Sequence, residues 1–150
     1  MQRVEQVNGG SILAKLSAVP VAMVDVDHFK RFNDTFGHEA GDSVLCTLAN
    51  LLRTQLRAED IICRYGGEEF TVILPDASLE SSRKRAEQLR ESVRGLVTEF
   101  RGQTLERITL SIGVSSFPEN GADGKALLEA ADAALYRAKA QGRDGVIVAV

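Results

Sequence analysis

The sequence lacks the residue types on which several classes of protein depend. It contains no tryptophan, three prolines and two cysteines, Cys46 and Cys63, in 150 residues. The cysteines form no CxxC motif and the two histidines are not clustered, so neither a zinc site nor a disulfide framework is supported. No apolar run approaches the roughly 20 residues of a membrane span, and the chain start lacks the apolar centre of a signal peptide. We therefore expect a cytoplasmic protein with no membrane segment.

An excess of positive charge is also absent. The formal net charge is −3 and the sequence pI is about 5.4. A broad basic surface for a nucleic-acid polymer is therefore not expected, although a local basic pocket for a nucleotide is compatible with this balance. Hydrophobic residues make up 44% and charged residues 26% of the chain, as in ordinary globular proteins. Length and composition together predict one domain over residues 1–150.

Hydrophobic periodicity in the first half of the chain predicts strands that alternate with helices. A buried strand starts at residue 19 and runs into the acidic segment Asp25–Asp27. Two helices follow, one ending at Gly37 and the next starting near Asp42. Two strands then flank Gly66 and Gly67 as a hairpin, and we expect its tight turn to require positive φ.

The second half continues the alternation. An apolar stripe from Ala86 to Phe100 predicts a long helix, and a strand over 107–117, a helix over 123–141 and a strand over 146–150 follow. A contiguous hairpin inside an otherwise alternating pattern predicts an α/β (α+β) fold. We expect a mixed central sheet with a ferredoxin-like βαββαβ core, flanked by helices.

Two pairs of acidic residues carry the chemical signal. Asp25 and Asp27 end a buried strand, and Glu68 and Glu69 follow the glycine turn. If the hairpin lies beside the first strand, these carboxylates converge, which is unfavourable unless a cation lies between them. Mg²⁺ suits such oxygen ligands. Because side chains alternate along a strand, only one of the two glutamates can face the first strand's carboxylate squarely. The alternative is an exposed hairpin with solvated acids.

Several segments carry the motifs of one known family. The segment Arg64–Phe70 (RYGGEEF) resembles the signature of the GGDEF family of diguanylate cyclases, in its GGEEF form. Other segments resemble that family in the same order: Asp25–Lys30, Asn33–His38, Gly41–Asp42, Ser111–Val114, Ala131–Lys139 and Gly142–Asp144. The resemblance covers roughly residues 19–148 and implies a fold similar to nucleotidyl cyclases and polymerase palms.

The resemblance implies a metal site at the acidic residues. Asp25 and Glu68 would hold Mg²⁺, with Mn²⁺ as a possible substitute, and the Val26 carbonyl would assist. Glu69 would be a further metal-site residue or the general base that acts on a ribose 3′-hydroxyl. His28 receives no role from the resemblance, and neither does the other histidine.

The resemblance also implies a GTP site. Asn33 and Asp42 would hydrogen-bond the guanine edge, whereas in isolation they would be an ordinary helix residue and a helix N-cap. Main-chain N–H groups of Phe29 and Lys30 would meet phosphates. Lys139 and Arg143 would form a cationic clamp on the β- and γ-phosphates. Gly66 and Gly67 would form a turn without side chains, which a base or phosphate can approach. In isolation the two cations would simply complement a helix dipole.

The implied activity is condensation of two GTP into cyclic di-GMP and pyrophosphate by a two-fold homodimer. Arg57 and Asp60 resemble the family's RxxD motif, which would bind cyclic di-GMP and inhibit the enzyme; the alternative is a local salt bridge. Three alternatives remain open: a catalytically weak module that binds GTP or cyclic di-GMP, a structural dimerisation domain, and a nucleotidyltransferase that makes another product.

The N-terminus departs from the family pattern. The family usually opens with an Asp-x-Leu-Thr-Gly-Leu-x-Asn-Arg stretch, and here only Asn8 matches it, followed by two glycines. We expect residues 1–12 to be poorly ordered or divergent.

Overall fold

A mixed five-stranded sheet organises the protein. The computed structural model describes residues 19–64 and 66–150; the prediction for residues 1–12 lies outside these ranges. The strands in chain order are β1 (Val19–Val26), β2 (Ile61–Arg64), β3 (Glu69–Ile73), β4 (Glu99–Phe100), β5 (Gln103–Thr104), β6 (Leu110–Phe117) and β7 (Gly145–Val148). The helices are α1 (Phe29–Phe36), α2 (His38–Gln55), α3 (Leu79–Arg94) and α4 (Gly124–Ala140).

The strand order is β2-β3-β1-β6-β7, and β4 pairs with β5 in a separate small hairpin. β1 is antiparallel to both β3 and β6, and β7 is parallel to β6. Strands β1, β2, β3 and β6 with their helices form the ferredoxin-like βαββαβ core, to which β7 is added. The fold class predicted from the sequence is confirmed.

Helices cover both faces of the sheet, which explains why every residue of β1 is buried. On one face Ala22 and Val24 pack in a large cluster with α1, α2 and α3. On the other face Met23 packs against Ala131 and Leu135 of α4. A Cβ atom at Gly113 of β6 would lie 2.9 Å from the Cα atom of Leu135, so this glycine allows α4 to lie directly on the sheet. Odd-numbered β1 residues therefore face α4.

Local signals explain where two helices begin. The Ser78 side chain accepts a hydrogen bond from the Ser81 N–H before α3, and Asp123 does the same for Ala126 before α4. No helix in the described ranges combines the length and apolar character needed to cross a lipid bilayer.

Three element predictions were wrong in detail. The helix predicted as far as Phe100 ends at Arg94, since the chain turns at Gly95 and forms the β4–β5 hairpin; Val97, placed on the apolar stripe, is 56% exposed. The second helix starts at His38 rather than near Asp42. Gly67 does not adopt positive φ, because five residues separate paired Arg64 and Phe70, a longer connection than the two-residue turn that the prediction assumed.

Candidate functional site

Asp25, near the end of β1, is the centre of the candidate site. The register pairs it with Glu69 on β3 and with Ser111 on β6. Directly paired residues on antiparallel strands share a face of the sheet, so Asp25 and Glu69 both lie on the α4 face. There the Lys139 ammonium group of α4 donates a hydrogen bond to Asp25 Oδ2. The second oxygen, Oδ1, is buried and has no hydrogen-bond partner within the described chain.

The electrostatics of this group favour an added cation. Burial raises the pKa of Asp25; the hydrogen bond and charge of Lys139 lower it, and the charges of Glu68 and Asp27 raise it. The net shift is upward. Burial also raises the pKa of Glu69, and the charge of Asp25 adds to this shift. At Asp25, burial is therefore the main cost of ionisation that Lys139 leaves uncompensated, and the neighbouring carboxylates add to it.

Glu68 lies beside the end of β1, but the strand register does not pair it with Asp25. The Val26 N–H donates a 3.3 Å hydrogen bond to the Glu68 carbonyl oxygen. The charge of Glu68 contributes to the raised pKa of Asp25. Of the two glutamates, Glu69 is the one directly opposite Asp25. In residues 19–64 and 66–150, no three His, Cys, Asp or Glu side chains converge at metal-binding distance by themselves.

Asp27 has a structural role instead of joining this group. Its carboxylate accepts hydrogen bonds from Thr109 Oγ1 and Ser111 Oγ, both 2.6 Å, and from the Asp144 N–H at 3.0 Å. Both oxygens are therefore satisfied. The sequence placed Asp27 with the candidate metal ligands, and no local signal distinguishes it from Asp25. Its hydroxyl partners on and next to β6 are more than 80 residues away in the chain.

The candidate guanine-binding residues lie on neighbouring helices. Asn33 of α1 carries a buried Oδ1 atom with no hydrogen-bond partner in the described chain. This amide packs against Gly41 of α2, where an added Cβ atom would overlap Oδ1 and lie 3.1 Å from the Phe29 ring. Asp42 follows Gly41 and is exposed. The structure therefore places the Asn33 amide beside the residue that precedes Asp42, and leaves the Asn33 oxygen without a partner among the described residues.

The candidate phosphate-binding residues are spread over three elements. Phe29 is buried and Lys30 exposed at the start of α1, just after β1 ends. Lys139 lies in the last turn of α4, against Asp25. Arg143 lies in the α4–β7 turn and is exposed, with a left-handed φ of 63°.

The glycine turn is open to solvent. Gly66 and Gly67 are exposed, and a Cβ atom at Gly67 would meet nothing within 4 Å. The Arg64 guanidinium donates to both of their carbonyl oxygens, at 3.3 and 2.7 Å. Sequence reasoning gave Arg64 no such role, although its position directly before a turn was a signal.

Arg57 and Asp60 form a separate cluster with Arg85 of α3. The Asp60 carboxylate is fully buried between the two guanidinium groups, with Nη2 of Arg57 at 2.9 Å and Nη2 of Arg85 at 2.5 Å. Burial opposes ionisation, but hydrogen bonds from Arg85 and Arg57 outweigh it and lower the pKa of Asp60. The local salt bridge considered above is therefore present. Arg85 was missed, because its contact with Asp60 spans 25 residues.

Comparison with known proteins identifies the family of the chain. The family model described as "Diguanylate cyclase, GGDEF domain" matches residues 11–145. The chain belongs to the GGDEF family. The family predicted from the sequence is confirmed.

Curated relatives are much longer than this domain. The diguanylate cyclase DgcP of Pseudomonas aeruginosa is 49% identical over 142 residues, which is 95% of this chain and 20% of DgcP. The response regulator PleD of Caulobacter vibrioides is 45% identical over 137 residues, or 89% of this chain and 30% of PleD. The chain thus spans about a fifth to a third of these GGDEF relatives.

Solved GGDEF domains share the fold. The GGDEF domain of YfiN from Pseudomonas aeruginosa has a TM-score of 0.89 at 35% identity, covering 94% of this chain and 90% of that one. The active GGEEF domain of a Vibrio cholerae diguanylate cyclase has a TM-score of 0.86 at 32% identity, covering 94% and 91%. The GGDEF domain of DgcB from Caulobacter crescentus, solved with c-di-GMP, has a TM-score of 0.82 at 35% identity, covering 87% and 77%.

Proposed function

We propose that this GGDEF domain is a diguanylate cyclase, which condenses two GTP molecules into cyclic di-GMP and releases pyrophosphate. The observation that carries the proposal is the buried Asp25, which faces Glu69 and Lys139 and has one oxygen without a hydrogen-bond partner in residues 19–64 and 66–150. A purely structural carboxylate in such a place would be expected to have both oxygens satisfied, as those of Asp27 are.

The donor set fits a divalent cation, and Mg²⁺ best. Mg²⁺ is usually held by one or two carboxylates, with substrate phosphates and water completing the shell. Asp25 and Glu68 or Glu69 would hold it, with the Val26 carbonyl, and Mn²⁺ would fit the same oxygen ligands. A metal site that a triphosphate completes needs only a few ligands from the protein. When bound, the ion neutralises phosphate charge and favours deprotonation of the attacking hydroxyl.

The side chains of the site divide the remaining work. Glu69, whose pKa is raised by burial and by Asp25, accepts the proton of the ribose 3′-hydroxyl, since a base works best when its pKa approaches the operating pH. Lys139 and Arg143 bind the β- and γ-phosphates and stabilise the departing pyrophosphate. Main-chain N–H groups at Phe29 and Lys30 add phosphate contacts.

Asn33 and Asp42 select guanine over other bases. A carboxylate accepts hydrogen bonds from the N1–H and amino group of guanine, and the Asn33 amide serves the remaining edge. Adenine presents a different donor pattern and would leave Asp42 without a donor, which is costly once the base excludes water.

Two copies of the domain must cooperate. One chain presents one GTP site, while the product joins two nucleotides through two 3′-to-5′ bonds. Two domains facing each other with two-fold symmetry place each 3′-hydroxyl against the other α-phosphate. Activity per chain should therefore rise with protein concentration, and strict proportionality down to high dilution would exclude this arrangement.

Cyclic di-GMP is also proposed to inhibit through the Arg57 and Asp60 cluster. The Arg57 guanidinium is 40% exposed, so it can meet a phosphate or guanine while Arg85 keeps Asp60 paired. The related DgcB domain was solved with c-di-GMP, which supports an affinity for this product. Arg57→Ala should weaken cyclic di-GMP binding and leave GTP binding largely intact; equal inhibition of parent and variant would contradict this site.

The deciding experiment is mass analysis of the products formed from GTP and Mg²⁺. We expect cyclic di-GMP and pyrophosphate, no product after chelation of the metal, and loss of at least a hundredfold in rate in Glu69→Gln. Glu80→Gln, which breaks an exposed ion pair on α3, is the matched control. GTP or cyclic di-GMP binding without turnover would indicate the weak binding module instead, and absence of all nucleotide binding would indicate a structural domain.

A further inference from the structure

The turn that carries Arg143 has an unusual backbone. Gly142, Arg143 and Asp144 have φ values of 113°, 63° and 44°. Glycine adopts positive φ freely and Asp tolerates the left-handed region, but arginine rarely does. Successive residues in this region persist only where surrounding contacts hold them.

Asp144 is held from two sides. Its N–H donates a 3.0 Å hydrogen bond to Asp27 Oδ2, and Asp27 is itself fixed to Thr109 and Ser111. Its carboxylate accepts a 2.9 Å hydrogen bond from Arg90 Nη1 of α3. The backbone of the turn is therefore attached to the sheet, and its side chain is attached to a helix on the opposite face from α4.

Two arginines of α3 contact Asp144: Arg94 at 3.6 Å, with a side chain that is 59% exposed, and Arg90 at 2.9 Å. The Arg90 side chain is only 14% exposed, and it contacts Glu87 at 2.9 Å and Glu91 at 2.8 Å as well as Asp144. These acids hold the guanidinium in one orientation. By contrast, the Arg83–Glu80 pair is largely exposed and reaches no other element in the described chain. Exposed ion pairs of that kind contribute little to stability.

We infer that Arg90 is a positioning residue for phosphate binding: by holding Asp144, it fixes the left-handed turn from which Arg143 reaches the nucleotide. The part of this inference that concerns phosphate binding rests on the proposed function. The Arg143 N–H also donates to the Ala138 carbonyl at 3.0 Å, so the turn is anchored to α4 at one end and to α3 and β1 at the other. Freedom at the Asp144 end would let the Arg143 side chain explore orientations that do not bind phosphate.

The test compares Arg90→Gln with the parent, with Arg83→Gln as control and Arg90→Lys as the conservative variant. In Arg90→Gln we expect the KM for GTP to rise about tenfold while kcat changes less than about threefold, since a charge-assisted contact to the bound substrate is weakened. Arg90→Lys retains one ion pair to Asp144 and should recover much of the KM. Arg83→Gln should match the parent.

A readout that needs no activity keeps the two proposals separate. Amide hydrogen exchange in residues 141–145 of the nucleotide-free protein should be at least about fivefold faster in Arg90→Gln than in Arg83→Gln, because only the first variant releases the turn. Unchanged exchange, or an unchanged KM in an active protein, overturns the inference. If the parent makes no cyclic di-GMP, the proposed function and the phosphate half of the inference fail, and exchange still decides whether Arg90 holds the turn.

A second variant covers the case in which Arg90→Gln does not fold. Asp144→Asn keeps the N–H bond to Asp27 and removes the charge that Arg90 and, at a longer distance, Arg94 contact. It should reproduce the KM and exchange changes in a folded protein. A folded Asp144→Asn with the KM and exchange of the parent would overturn the inference.

Discussion

Replacing Lys139 with methionine tests the central electrostatic feature of the site. The change removes the ammonium group that contacts Asp25 and keeps an apolar side chain of similar length. The Asp25 side chain is 3% exposed, and its other oxygen has no hydrogen-bond partner in the described chain. In Lys139→Met, therefore, the negative charge of Asp25 remains buried without compensation.

The expected cost follows from the burial of the two partners. Breaking a buried ion pair from one side costs about 3–5 kcal/mol. The Lys139 side chain is 33% exposed, so water screens the pair and replaces part of the lost interaction. We expect the free energy of unfolding to fall by about 2 kcal/mol at neutral pH, which corresponds to a drop in Tm of roughly 4–8 °C for a chain of this length.

The pH dependence identifies the cause. Burial raises the pKa of Asp25 and Lys139 opposes that shift, so removal of Lys139 raises the pKa further. When the folded pKa exceeds the unfolded value, the ionised carboxylate destabilises the fold. That cost is absent below the unfolded pKa of about 3.9 and grows as pH rises through the folded pKa. The stability gap between parent and variant should open between the raised folded pKa of Asp25 in the parent and neutral pH.

Urea unfolding followed by circular dichroism, at several pH values across this range, measures the difference in stability. Asp25→Asn/Lys139→Met should recover most of the loss, because the buried group is then neutral. Lys125→Met, an exposed position in the first turn of α4, is the matched control. A loss that is the same at every pH would mean that packing is responsible, and no loss at neutral pH would refute the reasoning altogether.

Three further predictions test other parts of the molecule. Gly41→Ala should displace the Asn33 amide, which an added Cβ atom overlaps, and weaken GTP binding about tenfold or more by isothermal titration, with little change for a nucleotide without guanine. Gly113→Ala should lower the free energy of unfolding by about 1–3 kcal/mol or more in urea, since the new atom overlaps the α4 backbone. Asp60→Asn should lower the free energy of unfolding by roughly 2 kcal/mol at neutral pH. Because the folded pKa of Asp60 is lowered, its contribution to stability is present above the unfolded pKa and is lost as pH falls through the folded pKa. The stabilities of parent and variant should therefore converge in acid.

The sequence predicted most of the fold because strands and helices have local periods. Residues 19–24 of β1 form a continuous apolar run and α4 has a regular apolar stripe, and both elements were predicted within two residues of their observed ends. The error at Phe100 has a physical reason. Apolar residues continue past Gly95 at near-helical spacing, but the chain turns there and Phe100 packs against the core from β4 instead.

The site was predictable as a set of residues and not as a set of contacts. The motifs singled out Asp25, Glu69 and Lys139, but their spacing cannot show that Lys139 contacts Asp25, because that contact spans 114 residues. Likewise Asp25 and Asp27 look equivalent in the sequence. They differ because Asp27 meets two hydroxyl groups and a backbone N–H, whereas one oxygen of Asp25 meets nothing among the described residues.

The difference between these two aspartates bears on how the proposed enzyme assembles its site. Both oxygens of the Asp27 carboxylate already accept hydrogen bonds, and Asp27 fixes the turn that carries Arg143. Displacing Asp27 would therefore only lose these bonds. Among the described residues, Asp25 is compensated only by Lys139, a flexible cation that phosphates also attract. Bound GTP offers Lys139 a new partner and supplies oxygen ligands for a metal ion, so departure of Lys139 from Asp25 and arrival of the metal favour each other. Metal and nucleotide should therefore bind more tightly together than either does alone, which is the reciprocal coupling that thermodynamic linkage requires.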